Sequence, residues 1–191
     1  MNATDNRSTI AILAGGKSRR MGYDKASVLI ERRTMIERVA AIAQGTGLPC
    51  IVVGRDPSAT WELDLPFVED RRPGLGPLAG LHAALHAGES DIVLLSCDLP
   101  GLTAVALDWL LEIAAGESSG LAGSRERPEP LFAVYRQSIV EEVDRRIARH
   151  ELSMQRLIKA TGMRIVPVPT EHALALDDVD TPEQLQGLRN G

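Results

Sequence analysis

A three-layer α/β/α fold built on one mostly parallel sheet is predicted by three features of this 191-residue sequence. Short apolar runs bounded by turn residues alternate with helical patterns of ten or so residues, as in repeated βαβ units. Runs such as IAIL and IVLLS are apolar at nearly every position, the mark of strands covered on both faces. No linker, repeat or low-complexity tract interrupts the chain, so one domain over 1–191 is expected, with a polar, flexible tail at 1–8.

The elements follow in order. Strands are expected at 9–13 (TIAIL), 50–53 (CIVV), 66–68 (PFV), 91–96 (DIVLLS), 131–135 (LFAVY), 164–168 (RIVPV) and 173–176 (ALAL). Helices are expected at 34–44, 77–87 (opened by Pro77), 104–115, 139–149, 154–161 and 182–189. The helix at 139–149 repeats Arg and Glu on one face and reads as an amphipathic packing helix. The last opens with Thr181 as N-cap, Pro182 in the first helical position and Gln184 in the capping-box place. Ligands of such sheets bind outside the carboxyl ends of the strands. The turns after Leu13, Val53, Val68 and Ser96 all carry Gly, Arg or Asp.

Composition narrows the function classes. A chain with 44% hydrophobic, 25% charged and only 3% aromatic residues is globular, with a core of Ala, Leu, Val and Ile. The net charge of −5 argues against nucleic-acid or anionic-membrane binding, which needs a basic surface. No apolar stretch is long enough to span a bilayer, and the opening MNATDNRST lacks a signal peptide's apolar segment, so a cytoplasmic protein is expected. Cys50 and Cys97 lack metal-ligand spacing and read as buried reduced thiols. His82 and His86 share a helix face; HxxxH alone does not complete a zinc site, and they are assigned to the helix surface.

The turn LAGGKSRRMGYDK at 13–25 contains Gly16-Lys17-Ser18, the end of a P-loop motif. The first P-loop glycine would fall at Ala11, inside the apolar strand, and the dinucleotide motif GxGxxG is also absent. Phosphate chemistry still fits. Gly15 and Gly16 let successive backbone N–H groups converge on an anion, and Arg19 and Arg20 bring forked donors. Lys25, one of three lysines, suits a point-charge contact to phosphate. A solvated glycine turn with incidental basic residues is the bland alternative.

This stretch resembles LAGGxSxRMGxDK, the signature of nucleotidyltransferases related to molybdenum cofactor guanylyltransferase. Three further islands are similar to that family in the same order: VED at 68–70 followed by GPLAGL at 76–81, SCDLP at 96–100, and DVDTPEQL at 178–185. The resemblance implies a Rossmann-like fold of the nucleotide-diphospho-sugar transferase type. It implies an enzyme that joins GTP to molybdopterin with Mg²⁺ and releases pyrophosphate. The NTP half would cover about 9–110 and the acceptor half about 120–191.

By the same resemblance the backbone of Leu13, Ala14, Gly15 and Gly16 holds the nucleotide, while Arg20 and Lys25 neutralise its phosphates. Asp70 is the acidic contact of the nucleotide segment, with Gly76, Pro77 and Leu78 opening the following helix. Asp98 binds nucleotide and metal, and Asp180, favoured over Asp178, completes the metal site. Mg²⁺ takes carboxylate, phosphate and water oxygens, which suits an Asp at a strand mouth. Around ERPEPLFAVYR at 126–136, Arg125, Arg127 and Arg136 are candidate contacts for the acceptor phosphate. Transient contact with molybdenum-cofactor enzymes or chaperones also follows.

One departure stands out. Gly54 occupies the position where the family pattern has a base- or ribose-contacting Asn, and Arg55 offers a different donor. Two other readings remain open: the same loop and metal serving CTP, or a sugar 1-phosphate with another NTP, and a non-catalytic molybdopterin carrier. A carrier has no use for the Lys25, Asp98 and Asp180 set.

Overall fold

The structure, a computed structural model, describes residues 8–14, 29–30, 33–54, 63–70, 72, 74–124 and 126–176. Seven strands form the main sheet: β1 (Ser8–Ala14), β4 (Cys50–Gly54), β5 (Phe67–Glu69), β6 (Asp91–Ser96), β7 (Gly120–Ser124), β8 (Pro128–Tyr135) and β9 (Arg164–Pro167). Their spatial order is β5-β4-β1-β6-β8-β7-β9. All run the same way except β8, which is antiparallel to both β6 and β7. A separate two-stranded ribbon, β2 (Leu29–Ile30) with β3 (Arg33–Thr34), leads into the first helix.

Among the described residues, five α-helices cover the sheet: α1 (Met35–Gly45), α2 (Pro77–His86), α3 (Ala104–Ala114), α4 (Val140–Ala148) and α5 (Met154–Ala160). Strand alternation divides them between two faces. Ile10, Ile12, Val52, Val93, Leu95 and Phe132 form one core with α1 and α3. Ala11, Leu13, Val53, Ile92, Leu94 and Tyr135 form the other with α2, α4 and α5. Each fully buried Leu or Ile contributes about 1.5–3 kcal/mol of transfer free energy, so neighbouring residues of one strand stabilise opposite layers.

Local chemistry sets the helix starts. Thr34 and Glu37 make a capping box: Glu37 N donates to Thr34 Oγ1 at 3.3 Å, and Thr34 N donates to Glu37 Oε2 at 2.7 Å. Thr103 caps α3 by accepting from Ala106 N at 3.2 Å. Gly76 precedes α2 with φ 67° and ψ −154°, a region open in practice only to glycine, and Pro77 follows in the first helical turn.

Two expectations change. Residues 173–176, expected as a strand, belong to a 3₁₀ helix, Thr170–Leu176, in which His172 N donates to Pro169 O at 2.9 Å. Ala and Leu are strong helix formers, and four alternating residues are too few to impose a strand. The His172 ring packs on Trp109 of α3, 5.9 Å between centroids, and Leu176 is buried in the α1–α3 core. β7, by contrast, is a strand that the sequence reading did not anticipate. The expected helix at 182–189 lies outside the described residues.

Candidate active site

The carboxyl ends of the parallel strands line up by register. Leu13 of β1 pairs with Val53 of β4 on one side and Ser96 of β6 on the other, and Val53 pairs in turn with Val68 of β5. The four turns singled out in the sequence therefore leave the same edge of the sheet. Cys97 N continues the ladder to Leu13 O at 3.3 Å, so the segment carrying Asp98 starts beside the end of β1.

Asp98 is half-buried one turn beyond β6, and Ser96 Oγ donates to its Oδ1. It faces a cavity of about 620 Å³, a size that takes a nucleotide-sized ligand. Pro77 at the start of α2 lines the same cavity, as do Glu126, Arg127, Glu129 and Pro130. The antiparallel strand explains this company. Phe132 pairs with Leu95, so the first residues of β8 run past the mouth of β6 to the level of Asp98. The two prolines of β8 are tolerated because they precede its pairing with β6. Gln155 of α5 holds the Pro128 carbonyl, and the buried Tyr135 hydroxyl donates to Pro130 O at 2.9 Å. Burial raises the Tyr135 pKa, so the phenol keeps its proton and stays a donor.

The cavity's donor set is oxygen: the carboxylates of Asp98, Glu126 and Glu129 and the Ser96 hydroxyl, with no His or Cys among its described lining residues. Hard oxygen donors of this kind fit Mg²⁺. Neither Glu126 nor Glu129 was expected from the sequence as a metal or catalytic residue; their signal was the ERPEP segment, whose Glu129-Pro130 departs from the family pattern and whose arginines were the expected contacts.

Other expected site residues are placed as follows. Leu13 and Ala14 are buried at the end of β1, and Leu78 is fully buried in α2, so none of the three presents its side chain to a ligand. Gly76 and Pro77 are exposed at the rim. Asp70 is held by a backbone bond from its N to Gly54 O, 2.6 Å, and its Oδ1 accepts from Arg72 N at 2.9 Å. It lines a different cavity, about 530 Å³, together with Arg72, His82 and His86, and not the one containing Asp98. Gly15, Gly16, Arg20, Lys25, Arg125, Asp178 and Asp180 lie outside the described residues.

Arg136 is a correction. It follows the end of β8 at the amino edge of β6, the far side of the sheet from Asp98. Its Nη1 pairs with Asp91 Oδ2 at 2.7 Å, its Nε donates to Glu117 O at 2.8 Å, and its Nη2 donates to Ala114 O. These partners engage all three guanidinium nitrogens in a structural lock at the edge opposite Asp98, which places Arg136 away from an acceptor bound in the Asp98 cavity. Arg127 is the expected arginine that does line the cavity.

The sheet order and the oxygen-lined, nucleotide-sized cavity at its carboxyl edge define an α/β protein that takes its ligand beyond the strand ends. Residues 10–165 match the MobA-like NTP transferase domain, and the chain belongs to that family. It is 32% identical over 194 aligned residues to the probable molybdenum cofactor guanylyltransferase of Opitutus terrae, covering 96% of this chain and 95% of that protein. The probable molybdenum cofactor guanylyltransferase of Aquifex aeolicus is 31% identical, over 95% of this chain and 90% of that protein. Among solved structures, molybdopterin-guanine dinucleotide biosynthesis protein A from Archaeoglobus fulgidus superposes with a TM-score of 0.78 at 25% identity, covering 95% of this chain and 97% of that one. No helix among the described residues is long and apolar enough to cross a membrane.

Proposed function

We propose that this chain is a molybdenum cofactor guanylyltransferase that transfers GMP from GTP to the terminal phosphate of molybdopterin, forming molybdopterin guanine dinucleotide and pyrophosphate. One observation carries the reading: Asp98 at the mouth of β6 shares a cavity with the start of α2 from the NTP half and with Glu129-Pro130 from the acceptor half. The names borne by relatives over nearly the whole chain supply the substrates.

In the reaction an oxygen of the acceptor phosphate attacks the α-phosphorus of GTP. The bond from that phosphorus to the bridging oxygen breaks, and pyrophosphate leaves with the electron pair. The attacking phosphate is already an anion, so no general base is needed and catalysis is positioning plus charge neutralisation. The backbone of 13–16 and the start of α2 hold the nucleotide, and Arg20 and Lys25 neutralise its phosphates. Asp98, with Asp180, would hold Mg²⁺, and the Ser96 hydroxyl orients the Asp98 carboxylate. Bound Mg²⁺ supplies charge neutralisation on the phosphate oxygens. Arg127, with Arg125, receives the acceptor phosphate.

Pyrophosphate release by the full chain, with each of GTP, CTP, ATP and UTP, Mg²⁺, and with or without molybdopterin, tests the assignment. Release is expected with GTP and molybdopterin together. Asp98→Asn should lower it by about 10²–10³-fold or more while leaving thermal unfolding close to the parent. Preferential release with CTP would change the nucleotide, and no release under any condition would leave a carrier. A fully active Asp98→Asn protein would remove Asp98 from the metal site.

A further inference from the structure

His82 and His86 lie one turn apart on α2, where spacing of four residues puts both side chains on one face. Folding brings a third group to them from α4. Asp144 Oδ1 stands 3.2 Å from His82 Nε2 and 2.8 Å from His86 Nε2. The two rings are 4.4 Å apart between centroids, and the three potential ligand atoms all lie within 4.8 Å of one another. No hydrogen-bonding need of the core brings them there, because the side chains of His86 and Asp144 are 47% and 45% exposed.

Two imidazole nitrogens aimed at one carboxylate oxygen make a poor simple ion pair. Charging both rings would place two cations side by side, and each neutral ring offers one N–H at most. The adjoining cavity of about 530 Å³, bordered by Asp70, Arg72 and both histidines, leaves room for water at a remaining coordination position.

We propose that His82, His86 and Asp144 form a binding site for a borderline divalent transition-metal ion such as Zn²⁺, separate from the oxygen-lined cavity of Asp98 and tying α2 to α4. Two imidazoles and a carboxylate with an open position are a ligand set of Zn²⁺ and Co²⁺ chemistry, whereas Mg²⁺ prefers oxygen ligands throughout. The site would brace the helix whose first turn carries Gly76 and Pro77, without taking part in nucleotidyl transfer.

The test uses the full chain purified without a polyhistidine tag and stripped of metal. Zn²⁺ is titrated calorimetrically in the presence of excess Mg²⁺, and Co²⁺ is followed by its visible absorption. One saturable equivalent is expected that Mg²⁺ does not displace, together with a rise in unfolding temperature on Zn²⁺ addition. His86→Ala and Asp144→Asn change exposed groups and should keep the fold by circular dichroism. Each should weaken the Zn²⁺ equivalent at least about tenfold and remove the thermal shift. The proposal is overturned if the parent protein shows no saturable equivalent, or if the His86→Ala/Asp144→Asn double variant binds Zn²⁺ as the parent does.

Discussion

Gly80 of α2 sits so close to Leu13 at the end of β1 that a Cβ on residue 80 would overlap Leu13 Cδ1 and lie 3.5 Å from its Cγ. The helix that opens at the cavity rim thereby packs directly on the residue from which the glycine turn departs. Leu13 has little room to yield, being only 7% exposed and grouped with the fully buried Leu78 and Leu81.

Gly80→Ala sets two effects against each other. Alanine gains about 1 kcal/mol in helix propensity over glycine, while overpacking a core costs about 1–3 kcal/mol. Because the overlap is with a buried side chain, packing should win, with a net loss of about 1 kcal/mol in urea unfolding and weaker GTP binding. A variant as stable as the parent would show that Leu13 rotates aside.

Asp91 and Arg136 make a second test, this time of a structural role. Their side chains are 17% and 15% exposed, and Asp91 Oδ1 also accepts from Gln137 N at 2.8 Å. Arg136→Ala removes one donor each from that carboxylate and from the Glu117 and Ala114 carbonyls, and leaves the half-buried Asp91 without its opposite charge, a loss of about 3 kcal/mol. Thermal unfolding should fall by about 6–12 °C for a chain of this size. The KM for the acceptor should stay unchanged at a temperature where the variant is folded; a raised KM with unchanged unfolding would return Arg136 to the acceptor site.

The third prediction concerns pH. The His82 pKa is lowered from 6.5, chiefly by burial, then by His86 and Arg72, against Asp144 and Asp70. A lowered folded value means that the unfolded chain binds the proton more readily, so stability rises with pH. The contribution is present above the ordinary value of 6.5 and is lost as pH falls through the lower folded value. In metal-free protein, urea midpoints should therefore drop between about pH 7 and pH 5, and His82→Gln should flatten that part of the profile. An unchanged slope in the variant would assign the pH dependence to other groups.

How much could be read without coordinates depended on packing. β1, β4 and β6 were legible because strands buried on both faces must be apolar throughout, and α1 because its residues carry a helical pattern over more than ten positions. β7 was hidden for the opposite reason. Its residues, GLAGS, carry no strand propensity, yet every one is buried. Small residues are what the neighbours allow: a Cβ at Gly123 would lie 2.8 Å from Phe132 Cδ1 and 2.9 Å from Val168 Cγ2, and Gly120 adopts φ 113° against the Val134 carbonyl. The requirement comes from residues nine or more positions away and leaves no local pattern.

The site divides along the same line. The order of motifs along the chain, the carboxyl edge where they had to meet, and Asp98 at a strand mouth were determined by the sequence alone, since apolar periodicity and turn residues act over a few positions. Only the tertiary structure decided which distant groups share a space. Reversal of β8 carried Glu126, Arg127 and Glu129 to Asp98 and sent Arg136 to the opposite edge. Packing of α4 on α2 gave His82 and His86 the carboxylate that HxxxH lacked. Contacts between residues 45 or 58 positions apart are set by how layers stack, and no local spacing encodes that.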